Sequence, residues 1–240
     1  MTQIIAQINK ENLTVRQDFD VSKFNTKINE KGIDVYWEKM MWCPCRKDST
    51  SQAITNCTNC NGSGYVWYDK QIIRALVSGA SLNKNFIQWT EVLEGSIYVT
   101  VDPFYKVGWY DRLTVKDALT VFSEVHKTVA GVGGVINYTT HYPVSNIIRA
   151  AKYVGAAVGL YDININNINI TSNPLVINDN NIIAGNSISL LYEYNPVYLV
   201  VDNLNDYRNT YVKNKLPIEQ LQNAPIRILA KKMHLVLNLG

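Results

Sequence analysis

Ser187-Ile-Ser-Leu-Leu-Tyr-Glu-Tyr194, then Asn195-Pro196, then Val197-Tyr-Leu-Val-Val201 is the stretch on which the fold turns. Both runs are dense in apolar, β-branched and aromatic residues, and the proline between them has no N–H to give a sheet ladder. They predict two strands with a break at Asn195-Pro196. Comparable runs recur upstream at Gly95–Val101, Leu119–Val125, Val144–Val154 and Ile163–Ile170, with Pro143 and Pro174 as further punctuation. Strands at intervals of roughly ten residues predict a mainly β chain with an antiparallel sandwich or barrel-like core.

Further toward the N-terminus, Tyr65–Tyr68 and Ile72–Val77 read as a hairpin turning at Asp69-Lys70. Ile33, Val35 and Trp37 alternate as a strand. Before it, a short helix is expected over Val21–Lys31. There Val21, Phe24 and Ile28 share one face, Asp20 or Ser22 caps the start, and Gly32 supplies the stop. Residues 1–18 read as an extended arm. At the other end, Leu216-Pro217-Ile-Glu-Gln-Leu221 predicts one helical turn begun by proline, and Ile226–Leu237 reads as a last strand or a helix, with strand favoured. The Asn-rich Asp162–Thr171 has isoleucine at 163 and 165, then at 168 and 170, and reads as part of an extended hairpin arm near 160–186.

Composition narrows the class. The chain has 240 residues, 47% apolar and 18% charged, which excludes wholesale disorder. The polar quota is carried by 27 asparagines, and the formal charge of +3 is too small to argue for nucleic-acid binding by itself. The first residues show no basic and apolar signal pattern, and no run of about 18 apolar residues occurs, so no membrane contact is expected. Synthesis in the cytosol is expected, where cysteines stay reduced and metal is favoured over disulfide.

All four cysteines lie in Trp42-Cys43-Pro-Cys45-Arg46 and Cys57-Thr-Asn-Cys60-Asn-Gly62-Ser-Gly64. Two close pairs joined by a short loop are what a tetrahedral zinc ion needs. Gly62 and Gly64 allow a tight turn after the second pair. From Pro44 to Gly64 the only apolar side chains besides cysteine and proline are Ala53 and Ile54, so burial alone does not hold the segment. Structural zinc contributes on the order of 10–16 kcal/mol in small finger peptides. Cys43, Cys45, Cys57 and Cys60 are therefore the expected ligands of a closed, structural Zn2+ site. Two disulfides, unrelated buried cysteines and an iron centre are the alternatives. Four thiolates and one zinc carry two net negative charges, which takes +3 to about +1. The organisation expected is an arm and short helix over 1–32, a zinc-knuckle segment over 33–68 and a β-rich core over 69–240.

A catalytic set is not apparent. His126, His141 and His234 are scattered, and none sits in a metal or nucleophile motif. They read as surface or sheet residues. Asp102-Pro103 reads as a turn, with Asp111 and Arg112 in local surface pairs. Gly131-Val-Gly-Gly134 lacks the lysine and helix of a phosphate loop and reads as a flexible turn. The 15 tyrosines and five tryptophans are expected mostly in cores and cross-strand pairs, with part of the excess left for protein contacts.

Cys57-x-x-Cys-x-Gly-x-Gly64 matches the unit repeated in the cysteine-rich domain of DnaJ-like chaperones. Here there is one unit partnered by Cys-x-Cys, and no His-Pro-Asp, so what is shared is knuckle geometry. A broader order of features runs from Trp37–Trp42 and the cysteine motifs through Tyr65–Tyr68, Gly95–Thr100, Tyr110–Thr114, Tyr142–Val144 and Tyr194–Tyr198 to Ala224–Arg227. This resembles virion structural proteins of tailed bacteriophages, the neck or head-to-tail connector components and tail proteins, with crass-like phages one setting. The resemblance implies a zinc-stapled, non-enzymatic β subunit that forms a ring with itself and contacts portal or other neck and tail proteins. It also implies that DNA contact is at most through a central channel, with the subunit located in the virion after synthesis in the host cytoplasm. A zinc-ribbon nucleic-acid-binding protein is the alternative, motivated by Arg46 and Lys47 beside the cysteines.

Overall fold

The computed structural model describes residues 21–46, 52–55, 57–60, 62–79, 95–127, 129–130, 136–155, 159–171, 175–178, 182, 186–203, 209–211, 221–223 and 225–237. The chain is mainly β, and every described ladder is antiparallel. Helix α1 (Val21–Lys31) comes first and buries Ile28, and Gly32 N donates to Ile28 O to end it.

Six strands then close a barrel in the order β1-β2-β3-β16-β13-β4. These are β1 (Ile33–Trp42), β2 (Tyr65–Gly79), β3 (Ser96–Val101), β16 (Ile226–Lys232), β13 (Val197–Asn203) and β4 (Arg112–Val115). Closure leaves no free edge, and a barrel this small is filled by side chains. Val35, Trp37, Ile73, Ala75, Val99, Val101, Leu113, Val200 and Ile228 form that filling, each at most 4% exposed.

Between β4 and β13 the chain leaves the barrel and builds two further sheets, so the sandwich is an insertion in the barrel. One sheet runs β5-β12-β8-β9, from β5 (Thr120–Lys127), β12 (Ser187–Tyr194), β8 (Asn146–Gly155) and β9 (Gly159–Asp162). The other runs β10-β11-β7-β6, from β10 (Ile168–Asn169), β11 (Leu175–Ile177), β7 (Ile136–Tyr138) and β6 (Val129–Ala130). Both sheets feed one core that includes Ile136, Tyr138, Ile177, Ile188, Leu190, Tyr192 and Tyr194. Strand β12 shows why: its residues alternate half-buried and buried along all eight positions, the period-2 signature of one covered face. Tyr142 stacks on Tyr194 at 4.1 Å, a pair worth about 0.5–1.5 kcal/mol beyond its buried area. A hairpin of β14 (Asn209–Tyr211) and β15 (Leu221–Asn223) and a final helical turn α2 (Met233–Leu237) complete the described elements.

The expected hairpin at Asp69-Lys70 is instead one continuous strand, β2. Trp37 pairs with Gln71 and Lys39 with Tyr68, so the single residue Glu38 faces the two residues Asp69 and Lys70. The extra residue is absorbed by a bulge in which Asp69 takes φ 56°, and the strand bends without reversing. The tail divides between the two readings: it is the favoured strand to Lys232 and helical from Met233. In the Asn-rich stretch, β9 pairs with β8, a 3-10 turn spans Ile165–Asn167, and β10 then joins the opposite sheet. Ile163 and Ile168 face the core, and Ile165 and Ile170 face solvent. The arm at 1–18, Asp20, the glycine turn at 131–134 and positions 216–220 of the expected C-terminal turn lie outside the described residues.

Candidate metal centre

The four cysteines sit where β1 and β2 meet. Trp42 pairs with Tyr65, and Cys43 N donates to Gly64 O at 2.9 Å, which carries the ladder one step past the strands. Each cysteine pair then follows a tight turn. Arg46 N donates to Cys43 O at 3.1 Å, Cys57 N to Ile54 O at 3.0 Å, and Ser63 N to Cys60 O at 3.0 Å. Gly62 and Gly64 hold φ of 82° and 78°, and a Cβ on Gly62 would lie 2.9 Å from Thr55 O. The glycines following the second pair are thus required by backbone shape as well as by crowding.

The sulfurs converge as the spacing predicts. Cys43 Sγ lies 3.7 Å from Cys57 Sγ, and Cys45 Sγ lies 3.6 Å from Cys60 Sγ. All four lie within 4.8 Å of one another. A disulfide needs about 2.05 Å, so all four are free thiols. Four sulfurs at about 2.3 Å from a central ion stand about 3.8 Å apart, close to the observed separations. The donor set therefore fits one tetrahedral metal ion.

The electrostatics agree. At Cys43 the Cys45 backbone N–H favours the thiolate, but burial and the neighbouring sulfurs outweigh it and push the thiol up to about 12. At Cys45 a backbone bond from Ile54 and the Cys43 thiol favour the thiolate, but burial and the thiols of Cys60 and Cys57 outweigh them and push the thiol up. At Cys57 the backbone N–H groups of Asn59 and Cys60 prevail and bring the thiol down to about 7. Cys57 is thus ready to ionise while Cys43 and Cys45 are held protonated, which a divalent cation would reverse.

Aromatic rings fasten the knob to the barrel. Arg46 lies 4.1 Å over Trp42, Trp42 packs on Tyr65 at 4.9 Å, and Tyr65 stacks on Tyr110 at 5.1 Å. Trp67 Nε1 donates to Tyr110 O at 3.0 Å. Beside Tyr110, Asp111 and Arg112 are not in local surface pairs. Asp111 is buried and accepts from Trp37 Nε1 at 2.8 Å, Gly108 N at 2.8 Å and Met40 N at 2.9 Å. Arg112 makes a bidentate pair with Glu38, both bonds 2.8 Å. Gly108 is local, but Trp37, Met40 and Glu38 come from strand β1, 71 to 74 residues away, so local sequence does not announce them. Asp102 does form the expected turn, accepting from Phe104 N on its side chain and Tyr105 N on its carbonyl.

A second cluster was not foreseen. His126 and His141 meet at Glu124 inside the sandwich. The available signal is Phe122-x-Glu124-x-His126, which places two polar residues on the inward face of β5 where alternation calls for apolar ones.

No protein-family model matches the chain, and no curated protein matches it.

Proposed function

We propose that the chain is a non-enzymatic structural subunit of a tailed-phage virion, in the neck, head-to-tail connector or tail. In this reading it forms a ring with copies of itself and contacts portal or other neck and tail proteins. Its knob is stapled by zinc on Cys43, Cys45, Cys57 and Cys60. The observation that carries the structural role of the metal is the donor set: four thiolates fill a tetrahedron and leave no position for water or substrate. An all-sulfur tetrahedral set favours zinc. Bound zinc supplies the cross-link that burial does not, because Ile54, the largest aliphatic side chain of the loop, is 60% exposed.

Exposed rings and aliphatics support assembly. Trp42 and Trp109 are half-exposed beside the knob, and Phe104 is 82% exposed. Val121, Val125, Ile148, Tyr153 and Leu160 are exposed on strands of a single sheet. Large apolar side chains left on a surface mark protein contacts. Near-neutral holo charge fits a protein surrounded by protein more than one tracking phosphates.

Elemental analysis is expected to give one zinc per chain at this site, and Cys57→Ser to lower both zinc and assembly. Sedimentation and negative-stain images should show concentration-dependent rings. A persistent monomer that binds no portal, neck or tail partner overturns the virion reading. Retarded DNA at about 50 mM salt, lost as salt rises, would favour the nucleic-acid alternative.

A further inference from the structure

The sandwich holds a buried carboxylate that the zinc knob does not use. Glu124 lies on β5 with its side chain 4% exposed, and His126 follows two residues later on the same face of the strand. His141 enters from the connection between β7 and β8. Glu124 Oε2 lies 3.1 Å from His126 Nε2 and in direct contact with His141 Nδ1, and the two imidazole nitrogens are 3.4 Å apart. Three donor atoms on two segments therefore point at one place. Ligand atoms held about 2.0–2.1 Å from a zinc ion stand about 3.3 Å apart, near the separations His126 makes with both partners.

The surroundings fit a cation. A buried carboxylate is costly without a compensating positive charge, and a metal ion shared with the two imidazoles would supply it. Tyr192, fully buried, has a hydroxyl with no hydrogen-bond partner among the described residues. Burial first, and then the nearby Glu124 charge, raise the pKa of that hydroxyl. The cluster is braced from behind. The Tyr138 hydroxyl reaches the Glu124 carbonyl at 3.4 Å, the Tyr138 ring packs edge-on against His126 at 5.4 Å, and the His141 backbone N–H faces both carboxylate oxygens at 3.3–3.4 Å. Outer partners of this kind orient metal-binding imidazoles and carboxylates.

The site also has an open side. His126 and His141, with Thr139 and Thr140, line a cavity of about 330 Å³ whose other walls include Cys60 from the knob, Trp67 from β2 and Met233 from α2. Three protein ligands on one side and an open cavity on the other is the arrangement of a site that keeps coordination positions for exchangeable ligands.

We propose that Glu124, His126 and His141 form a second metal site, for a divalent transition-metal ion of borderline softness, zinc foremost, with its remaining positions open to the cavity. The inference is independent of the virion reading, since it rests on donor atoms that the four-thiolate knob does not include. The mixed imidazole and carboxylate set distinguishes it chemically from the all-sulfur site.

The test is cadmium-113 NMR of the full chain exchanged into Cd2+, with metal equivalents counted by elemental analysis. Thiolate and nitrogen/oxygen sites resonate in well-separated regions. Wild type should show two resonances, one in each region, and bind two equivalents. His126→Ala/His141→Ala and Glu124→Gln should each lose the nitrogen/oxygen resonance and one equivalent while keeping the thiolate resonance. Wild type showing only the thiolate resonance under excess Cd2+ overturns the proposal. So does a folded variant that keeps both resonances. If the double variant fails to fold, the wild-type spectrum and the Glu124→Gln spectrum still decide.

Discussion

Asp111 shows how much one side chain holds in this protein. Its two carboxylate oxygens accept three N–H groups, from the indole of Trp37, the backbone of Gly108 and the backbone of Met40. It thereby ties β1, through the inward Trp37 and through Met40, to the loop that presents Tyr110 to the knob. Asp111→Ala leaves these donors unmatched, one of them fully inside the core, and an orphaned buried donor costs about 1–3 kcal/mol. A loss of about 3 kcal/mol or more is expected, which lowers Tm by about 6–12 °C for a chain of this size. Asp111→Asn should cost less, because one oxygen remains to accept while its amide meets N–H groups head-on. Thermal and urea unfolding read both variants. A loss below about 1 kcal/mol for the alanine variant would show that water replaces the carboxylate.

At the scale of elements, the junction between barrel and sandwich rests on Asn195. Its side-chain amide donates to the carbonyls of Val115, Lys116 and Ala118 at 2.7–3.1 Å, and Val115 N donates to Pro196 O at 3.0 Å. The chain's exit from β4 and its return into β13 are clamped together at that point. Asn195→Ala should destabilise by roughly 1–3 kcal/mol, and Asn195→Asp by at least as much, since it brings a carboxylate up to three carbonyl oxygens. Urea midpoints for the two variants check the order. An aspartate variant as stable as wild type would mean the clamp is not made in solution. This clamp also marks the limit of what the sequence discloses. Asn195-Pro196 is visible as a break and β12 as an alternating strand, because both are local patterns, and helix α1 and the cysteine spacing are legible for the same reason. Asp69-Lys70 mimics a turn because a bulge and a turn use the same residue chemistry, and only the cross-strand register with Glu38 tells them apart. The Glu124–His126–His141 cluster and the Asp111 bonds need partners set by tertiary register. Spacing sets Glu124 and His126 on one face of β5 but carries no trace of His141 or of the β1 partners of Asp111.

Among the described residues the molecule has two hydrophobic cores and a knob, and the knob lacks apolar filling of its own. The barrel closes on its own aliphatic interior and the inserted sandwich on its stacked tyrosines. Residues 43–64 are joined to them through the β1–β2 ladder, the ring contacts at Tyr65 and the Trp67–Tyr110 hydrogen bond. Metal removal should therefore melt the knob and spare both cores. The thiolates must be deprotonated to hold metal, and crowding keeps the metal-free Cys43 thiol protonated up to about 12. Protons and metal therefore compete, and affinity falls as pH falls. Chelation at neutral pH and mild acidification should converge on one state. In that state, amide exchange accelerates over 43–64 and Trp42 fluorescence changes, while amides of β12 and β13 keep their protection. Loss of protection across β12 and β13 on chelation would mean that the knob supports the global fold. Unchanged exchange at Cys57 and Cys60 in fully demetallated protein would mean that the turns stand without metal, and the staple reading would then fall.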